Sequence, residues 1–199
     1  TKDASDYLRP SQNVGAIFKT GYQESNKENS LNAKAYAKYK KYQFLFTAGT
    51  RKAEDVVLGD RRTLPFSSYE DISTLTKYSF HPRSNEEYKI SFDHFLRKDN
   101  VPLNPTLNPP VDMSELNGTS ETERGTINFQ YSLKSKSNRF IAIKSNVYAT
   151  SQRLDKERES DGEKESRNID TFGLSLNNTS ELYNKNIHSA KLITGLESI

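Results

Sequence analysis

Between Gly125 and Ala149 the chain carries two runs in which every second residue is apolar, a pattern that only an extended backbone turns into a continuous surface. Ile127, Phe129, Tyr131 and Leu133 share one parity, and Thr126, Asn128, Gln130 and Ser132 share the other. That is the period of a strand with one oily and one wet face. Ile141, Ile143, Val147 and Ala149 repeat it opposite Lys144 and Asn146, and Lys134 to Asn138 supplies a polar reversal between the two runs. The stretch reads as an antiparallel hairpin.

The rest of the chain repeats the unit. Nine segments alternate in this way: Val14 to Gln23, Ser30 to Lys40, Tyr42 to Arg51, Glu70 to Phe80, Glu87 to Arg97, Glu123 to Leu133, Arg139 to Ser151, Asn168 to Ser180 and Lys185 to Glu197. They exceed the roughly 5 to 6 residues of ordinary strands and reach the roughly 9 to 11 that cross a bilayer at a tilt. All the prolines fall between these segments, as expected of residues that cannot donate to a ladder. After the first hairpin the connections alternate short and long, with long ones at 52–69, 98–122 and 152–167, a rhythm that outer-membrane barrels use and sandwiches do not. The fold class expected is all-β: an antiparallel meander of about nine long strands forming part of a transmembrane β-barrel over 13–199, with 1–12 leading into it.

Parity assigns the faces. Turning Lys34 and Lys38 toward hydrocarbon would cost about 2 to 4 kcal/mol each at mid-membrane, so they point into a lumen with Asn32 and Tyr36. Leu31, Ala33, Ala35, Ala37 and Tyr39 then point outward. By the same logic Phe44 and Phe46, Ile90 and Phe92, Ile127 and Phe129, and Phe172, Leu174 and Leu176 point outward, and Lys89, Ser91 and Asp93 inward. Tyr39, Tyr42, Phe44, Tyr78, Phe80, Tyr88 and Tyr131 lie near short turns, where a barrel places its aromatic girdle. A mean hydropathy of −0.87 and the lack of a long apolar run exclude spanning helices but not spanning strands. The 29 basic and 26 acidic residues are mixed along the chain, leaving no basic stripe for nucleic acid. The absence of cysteine rules out a disulfide framework.

The opening Thr1-Lys2-Asp3-Ala4, then Leu8-Arg9-Pro10, Gly15, Lys19 and Gly21-Tyr22, and later Val57-Leu58-Gly59-Asp60 with Thr63-Leu64-Pro65, resembles the plug–barrel junction and first strands of TonB-dependent outer-membrane receptors. The likeness is strongest to the haem and haemoglobin uptake branch, with Ser11 and Arg61 standing where glycine is usual there. The resemblance implies a location in the bacterial outer membrane and a barrel of about 22 strands closed by an N-terminal plug. It also implies coupling to the TonB complex through a region that precedes residue 1. The chain is then an internal slice of such a receptor, unable to transport alone and binding no cofactor itself. Haem or another iron complex is the ligand of the parent, and the implied partners are outer-membrane lipid and an iron complex or haem carrier protein at the extracellular loops. The histidines that ligate haem in that family fall in the plug and in a late loop, outside this chain.

Few residues invite chemistry. His81 sits in a short turn and His188 near the start of the last strand, where structural or solvated roles are expected. His94, nearer the outer end of its strand, is the one histidine within reach of haem, although parity aims it outward. The proline-rich loop from Asp99 to Thr122 sets Leu103, Asn104, Pro105, Leu107 and Met113 in a stiff extended segment, a candidate ligand-contact loop or one packed inward on its neighbours. Leu154 to Arg167 alternates acids and bases without the spacing of a calcium loop and reads as a solvated loop. No catalytic or metal-binding motif is present, and no enzyme activity is expected. Asn117-Gly118-Thr119 and Asn178-Thr179-Ser180 match a glycosylation pattern by chance. The rival readings are a self-contained eight-stranded outer-membrane barrel with an adhesive or structural role, and a soluble β-sandwich binding module.

Overall fold

The computed structural model describes residues 2–102, 117–158, 162–185 and 188–198. Its strands, in chain order, are β1 (Val14–Gln23), β2 (Glu28–Tyr39), β3 (Tyr42–Ala53), β4 (Val56–Val57), β5 (Thr63–Leu64), β6 (Tyr69–Arg83), β7 (Glu86–Pro102), β8 (Asn117–Lys134), β9 (Ala142–Arg158), β10 (Lys164–Lys185) and β11 (His188–Ser198). Nine of them form one antiparallel meander in the order β1-β2-β3-β6-β7-β8-β9-β10-β11, and β4 pairs only with β5. Among the described residues the only other sheet is the two-stranded β4–β5, so the architecture is the expected class and not a sandwich.

The polarity of the sheet is inverted relative to a water-soluble protein. Phe92, Ile127, Phe129, Phe172, Leu174 and Leu176 stand exposed on one face, Phe172 at 64%. The most buried side chains lie on the other face and include Lys77, Ser79, Asp71 and Gln43 beside Tyr36 and Leu45. The register puts Phe46, Thr76, Phe92, Ile127, Ala149 and Phe172 in one outward row, as parity predicts. At the short-turn end Tyr42, Phe80, Tyr88 and Tyr131 make a chain of ring contacts at 5.0, 6.2 and 4.9 Å, with Tyr78 6.0 Å from Tyr42. This is the expected girdle, and stacked and tilted ring pairs tie four strands together there.

Along one outward row Ile72 and Leu96 are followed by Glu123, Arg153 and Asn168, so the apolar band slides toward the short-turn end as the strand number rises. Strands tilted in a barrel wall require that slide, because the rows of the ladder then cross the band obliquely.

The strands run further than their hydrophobic alternation. β7 to β10 continue beyond the oily band at the long-connection end, where outward positions pair charge with charge: Lys52 with Glu70 at 3.5 Å, Lys98 with Glu121 at 2.9 Å and Lys164 with Glu157 at 3.2 Å. Leu154 to Arg167 is therefore not the solvated loop expected from its composition. Both of its halves are strand, with Lys156 opposite Glu165 and Asp155 opposite Ser166, closed near Gly162, whose φ is 71°. The alternating signs that read as solvation are ion pairs, across the ladder for Glu157 with Lys164 and Arg158 with Glu163, and along one strand for Glu165 with Arg167. Asn117-Gly118-Thr119 likewise lies in β8 and not in a loop. Two prolines sit within strand bounds, against expectation: Pro82 falls where the β6–β7 register shifts between Phe80 and Arg83, and Pro102 is the last residue of β7. A bulge and a strand end are the places where a missing donor is tolerated.

Two glycines match tyrosines across the inner face. A Cβ at Gly15 would stand 2.5 Å from the Tyr36 ring and one at Gly173 2.2 Å from the Tyr148 ring, whereas one at Gly125 meets nothing. Each tyrosine lies across the neighbouring strand in the space its partner leaves open. Gly173→Ala is expected to cost about 1 to 3 kcal/mol by overpacking, and Gly125→Ala to leave stability within about 0.5 kcal/mol. Urea unfolding of the lipid-reconstituted protein checks the pair.

Candidate functional site: the inner wall and its strap

The inner wall is built from the inward parity of each strand, and the segment before β1 lies across it. Residues Ala4–Asp6 form a single 3₁₀ turn, fastened by Asp3 N–H donating to Asp6 Oδ2 at 2.7 Å and Asp6 N–H donating to the Asp3 carbonyl at 3.1 Å. Between them, residues 2–7 engage β2, β3, β6 and β7. Asp3 Oδ2 accepts from Lys89 Nζ of β7 at 2.7 Å, and its Oδ1, without a hydrogen bond, faces the Lys77 ammonium of β6 at 3.6 Å. Lys77 also donates to the Lys2 carbonyl at 2.9 Å. Ser5 N–H donates to Gln43 Oε1 of β3. Tyr7 stacks on Tyr36 of β2 at 5.3 Å, while Lys34 lies over its ring and reaches its hydroxyl at 3.3 Å. Ala4 is buried against Tyr36 and Leu45, with Tyr7, Leu8 and Ile17 around them. The segment is a strap running perpendicular to four strands. Parity already sends Lys89 inward, and an inward lysine demands a counter-charge; which carboxylate supplies it is a long-range fact that spacing does not contain.

Toward the long-connection end a second polar cluster crosses the wall. The Arg51 guanidinium holds Asp71 in a two-pronged pair at 2.7 and 3.2 Å, Arg97 approaches the same carboxylate at 3.9 Å and holds Asp99 at 2.7 Å, and both guanidiniums lie against the Tyr69 ring. The Tyr69 hydroxyl donates to Glu28. Above this cluster the β4–β5 hairpin is pinned by Asp55 Oδ1, which accepts from the backbone of Ser67 and Ser68 at 2.9 and 2.8 Å. Asp60 at its tip is bonded by Arg62, which holds its carboxyl below the usual range.

The histidines are dispersed. His94 points outward, as its parity predicts, and contacts Glu123 Oε1 at 3.0 Å, so it is turned away from the inner wall. His81 contacts Glu87 at 3.2 Å near a short turn, and His188 opens β11. Among the described residues no cluster of three or more His, Asp or Glu is placed to hold a metal ion. The candidate contact residues Leu103, Asn104, Pro105, Leu107 and Met113 lie outside the described residues. Asn178 has a structural role: its amide accepts from Ala142 N–H and donates to the Phe140 carbonyl, both at 3.0 Å, closing the β8–β9 turn.

Removing the charge of Asp3 leaves Lys77, only 6% exposed at its side chain, without its carboxylate. Asp3→Asn is expected to loosen the strap by on the order of 3 kcal/mol, and Gln43→Ala by about 1 kcal/mol. Amide exchange at Ser5 and protease susceptibility between residues 4 and 13 report both effects. Unchanged protection in Asp3→Asn would show that the ion pair does not hold the strap.

No family model matches the sequence. A sequence relative, the Hemoglobin-binding protein A of Haemophilus influenzae, is 29% identical over an alignment of 153 residues that covers 66% of this chain and 15% of that protein. Among solved structures, the hemophore receptor HasR of Serratia marcescens, solved as a double mutant in complex with its hemophore HasA and heme, matches with a TM-score of 0.83 at 18% identity. The match covers 99% of this chain and 28% of HasR. The FrpB iron transporter of Neisseria meningitidis matches with a TM-score of 0.77 at 19% identity, over 92% of this chain and 31% of FrpB, and a second FrpB variant, in its apoprotein form, with a TM-score of 0.68. The chain thus spans less than a third of each of these proteins. No helix among the described residues is long and apolar enough to cross a membrane. The nine-stranded meander thus has the fold of part of the HasR and FrpB structures, and its opening and its Leu58-Gly59-Asp60 segment resemble TonB-dependent outer-membrane receptors.

Proposed function

We propose that this chain is the wall segment of a TonB-dependent receptor that takes up haem or another iron complex across the bacterial outer membrane. The inverted polarity of the sheet carries the reading: exposed oily rows and an aromatic girdle on one face, buried lysines, serines and carboxylates on the other. Only a wall with hydrocarbon outside and a polar lumen inside makes both faces stable. The short-turn end is then periplasmic. The long-connection end, with the β4–β5 hairpin, faces outward and meets the iron complex or its carrier protein, and Leu103, Asn104, Pro105, Leu107 and Met113, outside the described residues, are the candidate contacts. The strap at residues 2–13 is the junction leaving the plug, and the TonB complex engages a region preceding residue 1. In this role the chain moves a ligand and transforms none.

Deleting the gene that carries this chain is expected to abolish growth on haem as sole iron source; undiminished growth would remove haem as the ligand. Neighbouring residues on opposite faces test the orientation. Ile127→Arg should destabilise the bilayer-inserted protein by about 2 to 4 kcal/mol and Asn128→Arg by no more than about 1 kcal/mol. Urea titrations in vesicles measure both, and equal losses would overturn the assignment of faces. The chain alone in detergent-free water is expected to sediment as aggregates, because its outward rows and both sheet edges find no partner there.

A further inference from the structure

We infer that the short-turn rim of the wall is a binding surface for anionic phospholipid. The inference rests on the bilayer reading of the sheet and adds to it the headgroup charge that the rim selects. Among the described residues three reversals line this rim: Lys40 and Lys41 between β2 and β3, the turn after Arg83 between β6 and β7, and residues 134–141 between β8 and β9. They carry Lys40, Lys41, Arg83, Lys134, Lys136 and Arg139, all exposed. Hydrogen bonds lace them into one edge. His81 N–H donates to the Lys41 carbonyl at 2.8 Å, Lys134 N–H to the Asn85 carbonyl at 2.9 Å, and the Asn85 amide to the Lys134 carbonyl at 2.7 Å. Neighbouring reversals stand two ladder spacings apart, about 10 Å, which is close to the screening length in about 0.1 M salt, so their fields overlap.

The positive charge of this rim is not balanced locally. Its acids are Glu86, Glu87 and Glu181. Glu86 accepts from the Tyr88 hydroxyl at 3.0 Å and the Tyr131 hydroxyl at 3.5 Å and lies 4.0 Å from Arg83, while Glu87 points into the lumen onto His81 and Lys89. Glu181 is half-buried beside the β8–β9 reversal, its N–H donating to the Arg139 carbonyl at 3.0 Å. Among the described residues no carboxylate lies within ion-pair distance of Lys40, Lys41, Lys134, Lys136 or Arg139. At the long-connection end, by contrast, Lys52, Lys98 and Lys164 each face a glutamate. The rim cations also adjoin apolar surface. Lys40 lies 5.2 Å over the Tyr39 ring and Arg139 5.1 Å over the ring of Phe140, which stands exposed with Ile141. An acidic protein surface would match the charges alone. A phospholipid with a net negative head matches both, because its phosphate meets the ammonium and guanidinium groups while its chains lie along the aromatic girdle.

The test uses the purified receptor carrying this chain, in detergent, with native mass spectrometry counting bound dioleoylphosphatidylglycerol against dioleoylphosphatidylcholine, which has the same chains and phosphate but no net charge. The wild-type protein is expected to retain the anionic lipid about tenfold over the zwitterionic one. Lys40→Gln, Lys136→Gln and Arg139→Gln combined should bring that ratio close to one, and Lys40→Arg with Lys136→Arg should keep it. The same loss of three charges at the other end, by Lys52→Gln, Lys98→Gln and Lys164→Gln combined, should leave it unchanged. All these side chains are exposed, so their replacement does not endanger the fold. Equal losses in the two triple variants overturn the surface, and so does a wild type without preference, which would leave an acidic protein as the occupant of the rim. Equal destabilisation by Ile127→Arg and Asn128→Arg with the lipid preference intact overturns the bilayer reading instead.

Discussion

Everything in this molecule depends on where the sheet's hydrocarbon-facing side is satisfied. An ordinary domain brings two apolar faces together and leaves charge outside. Here the large side chains stand away from any partner in the chain, and lysine and aspartate are what the fold buries. The arrangement is stable only if something apolar covers the outer rows and if the ends of the meander find further strands, because β1 and β11 each present a ladder edge. Both requirements point to a closed wall in a bilayer. The structures of similar fold are longer, this chain matching 28% of HasR and 31% of FrpB.

Burying charge on the inner side creates its own constraint, and the strap answers it. Lys77 and Lys89 approach the same inner surface on adjacent strands, and two ammonium groups in a partly dry setting repel unless a carboxylate lies between them. Asp3 occupies that position, and its 3₁₀ turn holds the carboxylate against the wall. A segment without regular hydrogen bonding across the sheet is in this way fixed at four strands by one carboxylate shared between two lysines, one amide contact and one stacked ring. Cross-strand pairs do the same further up, where Asp71 sits between two arginines and Tyr69 shields their faces.

How far the sequence discloses this depends on the range of the interaction. Strand identity and facing are local and period-two, so the outward row through Phe92, Ile127 and Phe172 and the girdle of Tyr42, Phe80, Tyr88 and Tyr131 are legible residue by residue. Strand ends are less so, because alternation of apolar residues stops where the lipid band stops while the ladder continues. Leu154 to Arg167 looks like solvated loop for that reason: outside hydrocarbon, a strand has no need of oil on either face. The strap and the arginine cluster are not legible at all from spacing. They join residues separated by 75 and 86 positions in the first case, and by a hairpin insertion of its own between Arg51 and Asp71 in the second. The motif resemblance locates the strap without saying what it touches.

The extension of the strands past the apolar band has a mechanical meaning. A lone hairpin in water is marginal, yet β8, β9 and β10 remain paired well beyond their last outward apolar residues, with opposite charges facing across the ladder on one side and Arg97, Asp99, Ser120 and Lys156 on the other. Each exposed pair contributes little alone. Their collective effect comes from continuity, since every strand is already held in register by the membrane-spanning part below and the loop-closure entropy has been met there. The pairs need only prevent fraying. The wall is thereby prolonged as a stiff collar, and the β4–β5 hairpin, anchored through Asp55 and through Asn100 of β7 on Ser68, is carried on that collar at a fixed height and orientation. That platform follows from the same register that sets the two faces of the wall.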